Sequence, residues 1–427
     1  MQTIASSRSP RKTLYSTIPN FSFRTWTYGP KRTPNTMSQL INLTVFKNFF
    51  KSSNAGGILL FICVILSLIV ANTAAGPGLQ SFLDTPFGFD SDTVHLKYST
   101  LLWINDGLMA IFFLLVGLEI KREIVEGELS SPKQASLPIL CAIGGAIVPA
   151  LIFLSFNSGQ ATAGGWGIPM ATDIAFALAV IGMLGNRIPA SLKVFLAALA
   201  IVDDLIAILV IAFFYSSGIE TTYLLYAGIG MVILFVMNRM NIQNPYLYLI
   251  PGVFIWYFIH HSGIHATIAG VMVAMTIPTN DTDLESPLER LEHALVKPVN
   301  FFIIPLFAFA NTNISIESEM LTGLVAPMGL GISLGLLLGK PLGILIMTFV
   351  CSKLGISSLP EGSSFKHILG VGLLAGIGFT MSIFISILSF SDALHIKEAK
   401  LSILLTSLLA GILGYLVLSV FGKKSRV

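Results

Sequence analysis

Apolar runs of about twenty residues recur from residue 57 almost to the end of the chain, separated by short clusters rich in Lys, Arg, Glu, Ser, Pro and Gly. Runs such as GILLFICVILSLIVAN (57–72) lack the ten-residue alternation that a membrane β-barrel needs. Each is long enough as a helix to cross roughly 30 Å of hydrocarbon. A window of about nineteen residues predicts twelve spans, at 57–76, 99–118, 135–155, 161–183, 190–214, 221–238, 246–261, 264–278, 294–311, 328–351, 366–389 and 399–420. The seventh and eighth are short and separated only by HHSGI. The expected fold class is an all-α polytopic membrane protein, with residues 37–427 forming one membrane domain.

Composition agrees, with 54% of the 427 residues hydrophobic and 11% charged. If both termini are cytoplasmic, fifteen Lys and Arg from Lys47 to Arg426 fall on the inner side, and only Lys97, Lys397 and Lys400 on the outer. That asymmetry is an orientation signal, so the net charge of +3 does not point to nucleic acid. Residues 1–36 differ in kind, carrying six Lys and Arg and no acid. They read either as an organellar transit peptide or as sequence in front of a start at Met37, and are left out of the fold. Cys63, Cys141 and Cys351 lie in or at the ends of apolar runs without CxxC spacing, so they are packing residues and no disulfide framework is expected.

Against this background some charges are out of place. Residues 198–209 read ALAIVDDLIAIL, placing Asp203 and Asp204 inside the fifth span. A carboxylate at mid-membrane costs about 2.5–3.5 kcal/mol, while each Leu, Ile or Val returns only about 0.3–0.6. One buried acid could serve to bond a neighbouring helix. Two adjacent acids point about 100° apart and need separate partners. Lys340, in GLLLGKPLGI, should seek an acid, and one of the two aspartates would leave the other free for a cation. Around it Gly335, Gly339 and Gly343 at spacing four form a smooth face for a neighbouring helix. Asp173 follows GGWGIPMAT in the fourth span; Asp106 and His265 are weaker candidates, the histidine having a packing role as its competing reading.

The fourth and eleventh spans also contain helix-breaking stretches, GGWGIP before Asp173 and GVGLLAGIGFTMS from Gly370 to Ser382. Spans 3–5 and 10–12 would form two triplets of opposite orientation with these as central members, the pattern of an inverted-repeat transporter whose site lies at the interruptions.

The stretches INDGLMAIFFLLVGLEIKRE (104–123), ATDIAFALAVIGMLGNRIPASLKVFLAALAIVDDLIAI (171–208), SGIHATIAGV (262–271), RLEH (290–293), PLFAFAN (305–311), GKPLGI (339–344), LPEG (359–362) and GIGFTMSIFI (376–385) carry a resemblance. From about residue 37 to the end, the chain resembles the NhaA family of Na⁺/H⁺ antiporters. The resemblance implies that Na⁺ or Li⁺ competes with protons at Asp204 and Asp203. It pairs Lys340 with Asp203, and sets Asp173 and Thr172 at the crossing of two broken helices with Thr380 opposite. It also groups Glu119, Arg122, Glu123, Glu292 and His293 in a cytoplasmic cluster linked to pH control, with His265 placed alongside. The residues alone favour plain anchoring of helix ends for that cluster. A homodimer through the outer loop 77–98 is a further implication, as is residence in a bacterial inner membrane.

The chemistry fits exchange. A carboxylate holds a hard cation or a proton but not both, so one site open to each face in turn couples opposite fluxes. Such a carrier needs no cofactor and is not an enzyme, and with more protons than sodium ions per cycle it is electrogenic. The nearest rival, a sodium-coupled solute symporter, also uses broken helices but binds Na⁺ mainly through carbonyls and hydroxyls. An intramembrane aspartyl protease would need its two acids on different helices, and HHSGIH lacks the Glu of a zinc-protease helix.

Overall fold

The structure is a computed structural model that describes residues 55–422 apart from 93, 217 and 280–284. The extension 1–36, Met37 and the charges at 47, 51, 423, 424 and 426 lie outside the described residues.

A helix occupies each of the twelve predicted positions. In chain order the helices are α1 (Ala55–Ala71), α2 (Gly76–Asp84), α3 (Thr100–Val125), α4 (Pro132–Asn157), α5 (Ile174–Met183), α6 (Ala190–Phe214), α7 (Thr221–Arg239), α8 (Tyr246–His261), α9 (Ile268–Thr276), α10 (Pro287–Asn311), α11 (Ser318–Gly323), α12 (Pro327–Lys353), α13 (Phe365–Ala375), α14 (Phe379–Ser389) and α15 (Ala393–Phe421). Seven of them (α3, α4, α6, α7, α10, α12 and α15) are by themselves long and apolar enough to cross a membrane. Three more candidates qualify only as bent pairs. The chain is therefore a multi-pass helical membrane protein, with fewer unaided spans than the hydropathy pattern predicts. The shortfall has local causes. The predicted first span ends at Ala71 because α2 turns away by 108°. α8 and α9 have 16 and 9 residues and are parted by a turn with Gly263 at φ +82.

The loop predicted at 77–98 is not plain loop, which amends the all-α expectation. After α2 it forms an antiparallel hairpin, β1 (Pro86–Asp90) paired with β2 (His95–Ser99) in the register Pro86↔Ser99 to Asp90↔His95. All five β1 residues are exposed.

Burial sorts the helices. In α6, 72% of the most apolar window is buried inside the protein, against 11% in α7, whose Val232, Ile233 and Phe235 face outward. α6 is central and α7 peripheral, although each is apolar enough on average to cross a membrane. The glycine face of α12 packs on α4 and its neighbour: a Cβ at Gly343 would fall on the Gly144 carbonyl, one at Gly339 on the Pro149 backbone, and one at Gly335 on the Pro169 ring.

Candidate functional site

The two interrupted helices build the site. Residues 161–170 wind as a 3-10 segment, the chain is extended over 171–173, and α5 starts at Ile174 with a bend of 42°. The second break covers residues 376–378, between α13 and α14, with a bend of 48°. The sequence therefore located the first interruption a few residues early. Its glycines are in the 3-10 segment rather than at the break, and they serve close packing: a Cβ at Gly165 would meet the Phe390 ring and one at Gly167 the Tyr215 hydroxyl.

Each break exposes backbone groups that a buried site must satisfy. Here the two breaks satisfy each other. The Asp173 amide donates to the Ile377 carbonyl at 2.7 Å. Oδ1 of Asp173 accepts from the Phe176 amide at 2.9 Å, while Oδ2 accepts from the Thr380 amide at 3.1 Å and the Thr380 hydroxyl at 2.6 Å. One carboxylate thus caps α5 and α14 together, at the positive ends of both helix dipoles. That arrangement gives Asp173 a full set of partners.

α6 runs beside this crossing and presents Asp203 and Asp204, both 2% exposed. Lys340 Nζ lies 2.5 Å from Oδ2 of Asp203 and is wholly buried. The lysine follows a π-helical turn, Gly335–Gly339, and precedes Pro341, whose missing N–H loosens the helix at that point. The Thr172 hydroxyl is 2.7 Å from the same Asp203 oxygen and 2.8 Å from the carbonyl of Ala375, the last residue of α13, so its one proton is shared between the two acceptors. Asp203 is therefore held from two sides. Asp204 is not: among the described residues no Lys, Arg or His lies within ion-pair distance of it, and its Oδ1 has no hydrogen-bond partner. Oδ1 of Asp203 is likewise buried without a partner. Two unsatisfied carboxylate oxygens on one buried turn are a costly arrangement unless a proton or a hard cation takes them.

Toward the end of α3 that bears Arg122, a second group of charges gathers. Arg122 Nε is 3.0 Å from Glu292 Oε2, an ion pair held by charge rather than by a well-directed hydrogen bond, and Arg122 Nη2 is 3.4 Å from Glu123. Glu119 is close enough to this group and to Asp204 for its charge to be felt at both. His293 stands at its edge: its exposed side chain faces Glu285 at 3.1 Å, while its charge is still felt at Glu292. Lys121 caps α9 by donating to the Met275 and Ile277 carbonyls, at 2.9 and 2.5 Å.

At the other end of α3, Asp106 faces His260 at 3.3 Å and His265 at 3.9 Å. His265 also contacts the ring of Phe384, one turn beyond Thr380 on α14. No role for His260 is expected from the sequence. Three further supports escaped it as well. Ser407 accepts the Phe379 amide at 3.1 Å, Ser382 donates to the Ile168 carbonyl at 2.6 Å, and the Tyr215 hydroxyl donates to the Gly164 carbonyl at 2.8 Å. Hydroxyls of this kind are common in apolar helices, and only their tertiary neighbours distinguish them.

Comparison with known proteins gives a consistent picture. The family model described as Na⁺/H⁺ antiporter 1 matches residues 47–418. The chain is 60% identical to the Na⁺/H⁺ antiporter NhaA 2 of Flavobacterium johnsoniae, over 91% of this chain and 96% of that protein. It is 51% identical to the NhaA antiporter of Flavobacterium psychrophilum, over 90% and 98% of the two chains. Identity is 45% with the NhaA antiporter of Helicobacter pylori, over 93% and 99%.

Proposed function

The chain belongs to the Na⁺/H⁺ antiporter 1 family and exchanges Na⁺ for protons across a membrane, and from that premise we propose that Asp204 is the group over which the two ions compete. The observation that carries this reading is the inequality of two adjacent buried acids: Asp203 is tied to Lys340 and Thr172, whereas Asp204 has no cationic partner among the described residues. A carboxylate so placed takes a proton or a hard cation in turn. Thr172, Asp173 and Thr380 hold the broken helices around it, and the unpaired Oδ1 of Asp203 is available as a second oxygen ligand. No observation favours a sodium-coupled symporter.

The finer features belong to the same proposal. Residues 37–427 form one domain of twelve spans, the broken pairs counting as two of them, in a bacterial inner membrane with both termini cytoplasmic. Li⁺ replaces Na⁺ at Asp204, exchange is electrogenic, and Glu119, Arg122, Glu123 and Glu292 adjust its pH dependence. The exposed hairpin pairs two copies into a homodimer within the lipid bilayer.

In everted vesicles, Na⁺ or Li⁺ added to the bath is expected to dissipate a preformed pH gradient. Asp204→Asn, at equal expression, is expected to abolish the response. Undiminished exchange by that variant would overturn the assignment.

A further inference from the structure

Lys400 is a charged group that the exchange mechanism does not use. The charge count places it on the outer side, and the structure puts it within α15, partly buried. Among the described residues it has no carboxylate within ion-pair distance. Its hydrogen-bond acceptor is Oδ1 of Asn311, at 3.5 Å. Asn311, the last residue of α10, is buried and donates to Oδ1 of Asn105 at 2.7 Å and to the Phe307 carbonyl at 3.0 Å. Oδ1 of Asn311 also accepts from Asn105 at 3.4 Å.

A row of contacts joins this cluster to the ion site. From Thr380, which bonds Asp173, one turn along α14 leads to Phe384. Phe384 touches Phe307, with ring centroids 6.2 Å apart, and also Phe113 and His265. One turn along α10 from Phe307 is Asn311, which holds Lys400. Each turn advances about 5.4 Å, so the ammonium stands roughly two turns from the crossing, with a layer of aromatic rings between. It lies toward the end of the molecule opposite Arg122, since Asn105 and Arg122 are about 25 Å apart along α3.

We propose that Lys400 is an electrostatic guard on the outer approach to the site, which weakens the binding of sodium arriving from that side without taking part in exchange itself. A fixed ammonium with no acid to neutralise it repels a cation most where water is scarce. The carrier then releases Na⁺ outward easily and reloads it poorly from the same face. Asn311 accepts from the ammonium and, being uncharged, brings no negative charge to neutralise it. This inference rests on the antiport reading and on the orientation given above.

The test compares the apparent KM for Na⁺ at the two faces, using right-side-out and everted vesicles. Lys400→Met and Lys400→Gln are expected to lower the outer-face KM by about threefold or more, while the inner-face KM and the maximal rate stay near those of the unaltered protein. Lys400→Arg keeps the charge and is expected to retain the original asymmetry. An unchanged outer-face KM in an active Lys400→Gln carrier would overturn the inference, as would equal shifts at both faces or loss of exchange by correctly inserted protein. If Lys400→Met fails to insert, Lys400→Gln against Lys400→Arg gives the same contrast. Absence of exchange by the unaltered protein would overturn the antiport reading itself, a result distinct from symmetric KM values in an active carrier.

Discussion

Asp203 and Asp204 share a turn of helix and almost equal burial, so what separates their chemistry is their neighbours. Oδ2 of Asp203 receives Lys340 and Thr172; Oδ1 of Asp204 receives nothing. A hydrogen bond to a charged group contributes about 1.5–3 kcal/mol, so Thr172→Val is expected to loosen Asp203 and raise the apparent KM for Na⁺ by about tenfold, with Thr172→Ser close to the original. Sodium titration of exchange in vesicles checks this. Removing one partner of a buried ion pair costs about 3–5 kcal/mol, so Lys340→Met should lower the thermal unfolding midpoint markedly in detergent. An unmoved midpoint would mean that Asp203 finds a substitute partner.

At the scale of the element, the crossing depends on one acid that serves two helix ends. Asp173→Ala leaves the amides of Phe176 and Thr380 without an acceptor, and each orphaned buried amide costs about 1–3 kcal/mol. Both lower stability and lost exchange are expected. Asp173→Asn keeps one acceptor oxygen but turns an NH2 donor toward the other helix end and loses the charge at two helix N-termini, so its loss should be smaller only by the one hydrogen bond retained. Thermal unfolding and transport assays on both variants decide the order. The glycine face of α12 makes a similar demand: Gly343→Val would drive a side chain into the Gly144 carbonyl, and overpacking of about 1–3 kcal/mol should appear as a lower unfolding midpoint. That face was legible because its period is helical. The position of the breaks was not, since glycine in a membrane helix marks close packing as often as interruption.

On the scale of the whole molecule, two features reach beyond the site. The charge of Glu119 is felt both at Asp204 and at the Arg122–Glu292 pair, so a change of charge in that group alters the field at the site. Glu292→Cys and Glu119→Cys are each expected to displace the profile of exchange rate against pH, and unmoved profiles would assign the cluster to anchoring alone. The hairpin is a two-stranded sheet with exposed residues throughout β1, and free strand edges pair readily with another copy. Deleting residues 86–99 is expected to convert a dimer to a monomer by light scattering in detergent. By itself the sequence determined the solvent, the helical class and the residues that do not belong in a membrane, because hydropathy and charge are local properties with a large energy per residue. The family resemblance already paired Lys340 with Asp203; only the tertiary structure decided that Thr172 holds the same oxygen, that Asp173 caps two helices, that His293 faces Glu285, and that Lys400 meets Asn311. Those outcomes depend on which side chains from distant segments meet within hydrogen-bonding range, and a period along one helix carries no record of its neighbour.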